Sequence, residues 1–403
     1  MKKTLLATAI AGALGTMAAG AQAATVYNQD GSKLDVYGNV QLGWKSTKEA
    51  QEDADGNFTG QSSTEDDLFD NRSTIGFRGE HIINPNLTGY FRAEFEFNAD
   101  RQKGYYDQGG SNSNGSGLSK GDQAYLGLTG NFGDVRIGSW DNLIDDWVQD
   151  PVSNNEYFNN TDSSGDIGGS TWQEANKVTY TSPVTAGFQF AIGTRYYGDA
   201  EDTQAFQDAY LNGTVDLNDD GEPVNGLQNG SFAVDDDGSA SLFGGLRYMV
   251  GDWTLAAVYD DLKNFKYIET DGDEHDYGQQ FGLNATWQMN DDLRVSAKWE
   301  QLHGQWADDA DANRYGLGAR YSYGMGDLYG SYQYVDADRN AVALIDPSNF
   351  AGVDQGDDES YNEFILGATY NLSSQMYVWL EGAKYDREED TGDGFATGIA
   401  YSF

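Results

Sequence analysis

Hydrophobic and polar side chains alternate along much of this chain with a period of two, the spacing of a β-strand that has one apolar face. Leu34, Val36, Val40, Leu42 and Trp44 fall on one face, and Asp35, Tyr37, Asn39, Gln41 and Lys45 on the other. Ile75 and Phe77 oppose Arg72, Thr74 and Arg78, while Phe91, Ala93, Phe95 and Phe97 oppose Tyr90, Arg92, Glu94 and Glu96. The pattern recurs in Phe281–Trp287, Leu293–Trp299 and Tyr315–Tyr323. It also ends the chain, where Phe395, Ile399, Tyr401 and Phe403 alternate with small or polar residues. A terminal strand of this kind frays in water, but in lipid it is what closes a barrel.

Two sorts of connection separate the strands, in alternation. The short ones are Asn84-Pro85-Asn86, Asn131-Phe132-Gly133, Val184-Thr185-Ala186, Gly251-Asp252, Asn290-Asp291, Gly324-Met325-Gly326 and Leu372-Ser373-Ser374. Most carry residues that supply turn geometry. The long ones lie at Glu49–Asp70, Asp100–Asp122, Asp141–Glu174, Asp199–Asp237, Glu269–Asp276, Asp308–Asp311, Asp336–Glu359 and Asp386–Asp393. Seven turns and eight loops make sixteen strands, so the fold predicted is all-β, a sixteen-stranded antiparallel transmembrane β-barrel. Such a barrel leaves a lumen wide enough for water.

The mean hydropathy of −0.63 describes a hydrophilic chain, and no stretch approaches the length of a membrane-spanning helix. Near the start, Lys2-Lys3 leads into an apolar run from Leu5 to Ala19, and Ala21-Gln22-Ala23 supplies small residues before Ala24. This predicts an export signal over residues 1–23 and a mature barrel domain over 24–403. Cysteine is absent, so no disulfide framework is used. With 26 Tyr, 19 Phe, 9 Trp and only 5 Pro, the composition fits long strands with aromatic girdles; the competing architecture is a secreted β-sandwich array.

Charge is segregated along the chain. The eight loops hold 50 of the 65 acidic residues and five bases, Arg101, Lys103, Lys120, Arg339 and Arg387, which leaves the barrel body close to neutral. An acidic rim excludes nucleic acid as a partner. One reading is that it merely solvates the exposed face; the sharper one is that it binds divalent cations, which bridge it to anionic surface lipid such as lipopolysaccharide, and concentrates cations at a pore mouth.

Other motifs carry less. Asp216, Asn218 and Asp220 have the spacing that opens a calcium loop, but Leu227 stands where the bidentate Glu belongs, and a solvated turn explains the segment as well. His81, His275 and His303 share no motif, and with no positioned nucleophile the chain is not expected to be an enzyme or to need a cofactor.

Several segments resemble the general, non-specific porins of Gram-negative bacteria. Ala24-Thr-Val-Tyr-Asn-Gln-Asp-Gly-Ser-Lys-Leu-Asp-Val-Tyr-Gly38 resembles their mature N-terminus. Ile75-Gly-Phe-Arg-Gly-Glu80, Asn86-Leu-Thr-Gly-Tyr90, Tyr125-Leu-Gly-Leu128, Asn131-Phe-Gly-Asp-Val-Arg-Ile-Gly138 and Phe403 resemble their strand motifs, in the family's order. The resemblance implies a homotrimer of water-filled barrels in the outer membrane, with short periplasmic turns and long extracellular loops. It also implies that the third loop folds inward, its acids facing bases on the wall, and that Phe403 with Tyr401 marks closure and assembly.

Mapped onto this chain, the loop holds eight acids and no Lys or Arg, and the acids assigned to the constriction are Asp141, Asp145, Asp146, Asp150 and Glu156. Asn155-Glu-Tyr-Phe158 stands where the enteric porins have Pro-Glu-Phe-Gly-Gly. Asn39, Thr74, Tyr125 and Gln173 occupy wall sites at which the family carries bases or their neighbours; by alternation Arg72, Arg78, Arg92, Arg136 and Lys177 point inward instead, either as free wall charges or paired with Glu80, Glu94 or Glu96. The expected function is passive diffusion of ions and small hydrophilic solutes, with a preference for cations. Two alternatives stand beside it: a barrel-anchored receptor or adhesin acting through its acidic loops, and a sugar-specific porin. The inward rings Tyr37, Tyr90, Tyr125 and Tyr329 are scattered in sequence, which counts against the sugar slide.

Overall fold

The structure is a computed structural model that describes residues 23–52, 58–101, 118–161, 171–198, 230–234, 238–269, 274–341, 359–387 and 390–403. The leader read at 1–23, apart from Ala23, and the calcium-type segment at Asp216–Asp220 lie outside the described residues.

Sixteen antiparallel strands close into one barrel. They are β1 (Ser32–Glu52), β2 (broken into Phe58–Asp70 and Ser73–Asn84), β3 (Leu87–Phe97), β4 (Leu118–Gly130), β5 (Gly133–Ser139), β6 (Lys177–Thr181), β7 (Phe188–Tyr197) and β8 (Ser239–Val250). The circuit continues with β9 (Trp253–Asp261), β10 (Gly278–Gln288), β11 (Leu293–Gly304), β12 (Asp311–Ser322), β13 (Asp327–Ala337), β14 (Glu359–Asn371), β15 (Met376–Tyr385) and β16 (Gly394–Ser402). Each strand pairs with its neighbours in sequence, and β16 returns to β1 with Ser402 opposite Asn39 and Gly394 opposite Thr47. Phe403 and Gly38 exchange backbone hydrogen bonds of 3.0 and 3.1 Å, which completes the closure and leaves no free edge there. Below that point Ala24–Gln29 folds back along Ser32–Val36 as a short hairpin.

Alternation holds through the membrane band. Leu126, Ile137, Ile192, Leu246, Leu283, Leu317 and Leu366 are exposed on the outer face, while Glu94, Arg195, Glu300, Gln333 and Glu381 are buried on the inner one. Exposed Tyr and Trp mark the lipid boundary on β7, β9, β12, β14 and β16, at Tyr196, Trp253, Tyr259, Tyr315, Tyr321, Tyr370 and Tyr401. Among the described residues, β2 to β5 expose only Leu, Ile, Val and Phe as large apolar side chains.

Two predicted loops are structured. Glu49–Asp70 is mostly strand, with Lys45 opposite Asp67 and Glu49 opposite Ser63 in a ribbon above the bilayer. Both faces of that ribbon meet water, so the sequence has no period-2 signal to betray it. The described ends of Glu269–Asp276, Glu269 and Glu274–Asp276, belong to a three-stranded sheet of Gly230–Val234, Phe265–Glu269 and Glu274–Asp276. Tyr197, Leu262, Phe265, Tyr277, Leu302 and Trp306 form a buried core beneath it.

Candidate functional site: a lumen narrowed by the third loop

The third loop leaves β5 at Trp140 and folds inward as expected. Leu143, Ile144, Trp147 and Val148 give it an apolar flank, which packs on Ala191 of β7 and on Ala256 and Val258 of β9. Asp145–Gln149 forms a π-turn and Asp150–Ser153 an α-turn with Pro151 in its first positions. The wall makes room with glycine: a Cβ on Gly318 would lie 2.3 Å from the Val152 carbonyl oxygen, and one on Gly282 2.8 Å from Val148 Cγ2. Bulkier residues at either position would push the loop into the lumen.

Beyond Ser153 the loop is held by polar wall groups. Arg320 of β12 donates to the Asn154 carbonyl and to Asp327, the latter at 3.1 Å. Glu381 of β15 accepts from three successive backbone N–H groups, those of Glu156, Tyr157 (2.8 Å) and Phe158 (2.9 Å), and from the Tyr329 hydroxyl (2.6 Å). Glu363 of β14 accepts from the Thr161 amide (2.9 Å), Asn160 Nδ2 (3.2 Å) and Arg387 (2.8 Å). A carboxylate that receives several N–H donors is a strong acceptor, and charge-assisted bonds of this kind roughly double a neutral one. Asn155-Glu-Tyr-Phe158 therefore docks without Pro or Gly, because its backbone N–H groups have partners on the wall.

The loop's acids occupy different settings. Asp150 and Glu156 line a cavity of about 530 Å³, shared with Asn39, Gln41, Arg72 and Tyr377. Glu156 accepts from the Tyr377 hydroxyl at 2.9 Å, and Asp141 from Gln123 Nε2 at 2.7 Å. Burial pushes the Glu156 carboxyl up to about 7, the Tyr377 bond opposing it and the charge of Glu381 adding to it. Asp146 is likewise pushed up to about 7 by burial, then by the charges of Asp141 and Asp150. Asp141 is raised by burial, with Lys177 opposing. Asp145 has other contacts on the loop's first turn.

The wall cations divide four ways. Arg72 lines the cavity opposite Glu156, but it reaches there from a break at Asn71–Arg72, with φ of +60° at Arg72, and not by simple alternation with Thr74. Arg78 and Arg92 are paired, Arg78 with Asp35 at 3.1 Å and Arg92 with Glu94 at 2.8 Å. Arg136 stacks on Tyr125 at 4.5 Å and on Trp140 at 5.2 Å. Lys177 is no lumen charge: it is buried under the root of the loop and donates to the carbonyls of Trp140 and Asp141. Lys177 is on the inner side of the wall, at a part that the loop covers. Asn39 and Thr74 bond to each other at 3.2 Å, and Gln173 is buried against Gln280.

Tyr37, Tyr90 and Tyr125, distant in sequence, line one cavity of about 540 Å³ on β1, β3 and β4. Tyr329 stands apart at Glu381. His303 pairs with Asp311 at 2.7 Å and His81 with Ser32 at 2.7 Å. Among the described residues no group of three His, Cys, Asp or Glu could hold a metal ion.

A closed sixteen-stranded barrel with polar groups on its inner wall and a loop docked against that wall defines a channel protein of the porin class. A family model for Gram-negative porins matches residues 7–391, and the chain belongs to that family. The monosaccharide porin of a Halomonas species is 45% identical over 419 residues, covering 100% of each chain. Outer membrane porin F of Salmonella typhimurium is 27% identical, covering 92% of this chain and 100% of its own. The structure of Salmonella typhi OmpF in complex with daunomycin superposes with a TM-score of 0.60 at 19% identity, covering 94% of this chain and 100% of that one. The protein is thus a multi-pass β-barrel of the outer membrane, a non-enzymatic porin.

Proposed function

We propose that this porin is a passive diffusion channel that prefers cations. Supporting that reading is the third loop, which holds eight acids and no Lys or Arg. Asp150 and Glu156 line a cavity with Arg72, while Arg78, Arg92 and Arg320 have carboxylate partners in Asp35, Glu94 and Asp327, and Arg247 and Arg294 lie near Asp146 and Asp150. The acidic rim adds cations to the mouth at low ionic strength, an effect that weakens as the Debye length falls below about 8 Å. The working form is a homotrimer. Its support is the lack of exposed Tyr and Trp on β2 to β5, the face that a second copy would shield from lipid.

Ion preference should depend on pH. Asp146 and Glu156 have pKa values raised to about 7, so both are neutral well below that pH and negative well above it. The permeability ratio of potassium to chloride is expected to rise between about pH 5.5 and about pH 8.5, by reversal potentials on bilayer-reconstituted channels. A ratio independent of pH over that range would remove these two carboxyls from the conduction path.

A second reading, selectivity for sugars, is favoured by the named activity of the Halomonas relative and by the convergence of Tyr37, Tyr90 and Tyr125. The receptor alternative gains no comparable support.

A further inference from the structure

The wall beside the root of the third loop, where Tyr125 meets Trp140 edge to face at 5.8 Å, has a feature that ion diffusion does not use. Tyr37 pairs across the sheet with Gly76, and Tyr90 with Gly127. An added Cβ would lie 2.3 Å from Tyr37 Cζ at Gly76 and 2.2 Å from Tyr90 Cζ at Gly127. Both rings therefore lie flat against the barrel wall, in the space that a side chain at each glycine would have filled. One face of each ring covers a glycine, and both tyrosines line the cavity, with the Arg78 and Arg92 guanidinium groups set over the Tyr37 ring at 5.7 and 5.4 Å from its centre.

Polar groups frame these rings. Arg92 Nε donates to the Tyr37 hydroxyl at 2.6 Å, and the Arg92 guanidinium sits 5.4 Å from the ring centre. Tyr90 donates to Asp134 at 2.6 Å and meets Tyr125 edge to face at 6.2 Å. Arg78 with Asp35 and Arg92 with Glu94 form pairs in which each positive group has a negative neighbour. The patch thus offers apolar faces flanked by planar donors and carboxylate acceptors, with little reason to hold an ion.

That combination suits a ligand with an apolar C–H face and a rim of hydroxyls. We propose that Tyr37, Tyr90 and Tyr125, with Arg78, Arg92 and Glu94, form a pyranose-binding subsite on the lumen wall. Sugar rings stack on Tyr37 and Tyr90, while the guanidinium and carboxylate groups exchange hydrogen bonds with the hydroxyls. This rests on the sugar reading above and assigns it to residues. The aromatic patch adjoins the acidic cavity, the two sharing Asn39 and Ser402 in their linings, so a sugar held on the patch would sit beside the ion path.

The test is ion current through reconstituted trimers at about 1 M KCl, where rim charges are screened. D-glucose is titrated on one side, and mannitol, an acyclic polyol of the same carbon number, serves as the comparison. Glucose is expected to reduce the current saturably, with half-effect in the millimolar range, whereas mannitol lowers it only in proportion to viscosity. Tyr37→Ala/Tyr90→Ala should weaken the glucose effect at least about tenfold. Gly127→Ala, which keeps Tyr90 but forces its ring off the wall, should weaken it too, and it serves if the double variant does not fold. Equal, unsaturable effects of the two solutes on the wild type, or saturation that survives in a folded variant, would overturn the subsite. Conductance without sugar tests the channel reading separately; if trimers do not conduct, flow dialysis with labelled glucose reads the same site.

Discussion

Glu381→Ala is expected to release the tip of the third loop and widen the channel. The substitution strips acceptors from the amides of Glu156, Tyr157 and Phe158 and from the Tyr329 hydroxyl. Leaving a buried donor unsatisfied costs roughly 1–3 kcal/mol, and several are orphaned together. The loop's first half should stay in place, because Ile144, Trp147 and Val148 remain packed on β7 and β9. Single-channel recording should show larger and noisier conductance, and limited proteolysis should nick the loop near Asn155. Glu381→Gln retains one acceptor oxygen and should fall between the two. Unchanged conductance and noise in the alanine variant would show that Glu363 and Arg320 suffice to dock the tip.

Asp260→Ala should have the larger effect on stability. Arg195 is fully buried and donates to Asp260 through both terminal nitrogens, one bond measuring 2.9 Å, and to the Asp261 carbonyl at 3.0 Å. Lys177 is buried nearby at the loop's root. Removing the carboxylate takes the two-bonded acid partner from a buried guanidinium, a change worth roughly 3–5 kcal/mol. The folded barrel should unfold at clearly lower temperature and urea concentration, by the mobility shift of heat-treated samples. Asp260→Asn, which keeps an acceptor but not the charge, should recover part of the loss. Wild-type unfolding in Asp260→Ala would mean that water enters the site and screens Arg195.

These groups mark the boundary of what the sequence discloses. Lipid enforces alternation, so the membrane-spanning parts of the sixteen strands and their turns are legible as runs such as Leu34–Trp44 and Leu293–Trp299. Above the bilayer that constraint ends, which hides the β1–β2 ribbon and the aromatic core at Leu262, Phe265, Tyr277 and Trp306. Alternation also reports which side of the wall a residue faces, but not what covers it. Lys177 is on the inner side yet lies beneath the loop, and Arg72 reaches the lumen through a backbone break that no periodicity encodes. Glu381 and Glu363 left one trace, inward acids in strands whose outward residues are Leu380 and Phe364. Their roles depend on a loop more than 200 residues away, as does the meeting of Glu156 with Tyr377.

The same limit applies to Tyr37, Tyr90 and Tyr125. Scattered in the sequence, they converge because β1 to β4 are successive strands of the barrel wall. Sequence separation is a poor guide to spacing in a sheet, where cross-strand neighbours lie about 5 Å apart.

Cation preference is the central claim, and a reversal potential tests it most directly. Purified trimers are placed in a planar bilayer with a potassium chloride gradient at about pH 8, above the range in which Asp146 and Glu156 titrate. The imbalance between the loop's acids and the matched wall arginines predicts a potassium-to-chloride permeability ratio above one. That ratio should persist at high salt, where the rim is screened and only the narrowing contributes. A ratio at or below one under those conditions would contradict it.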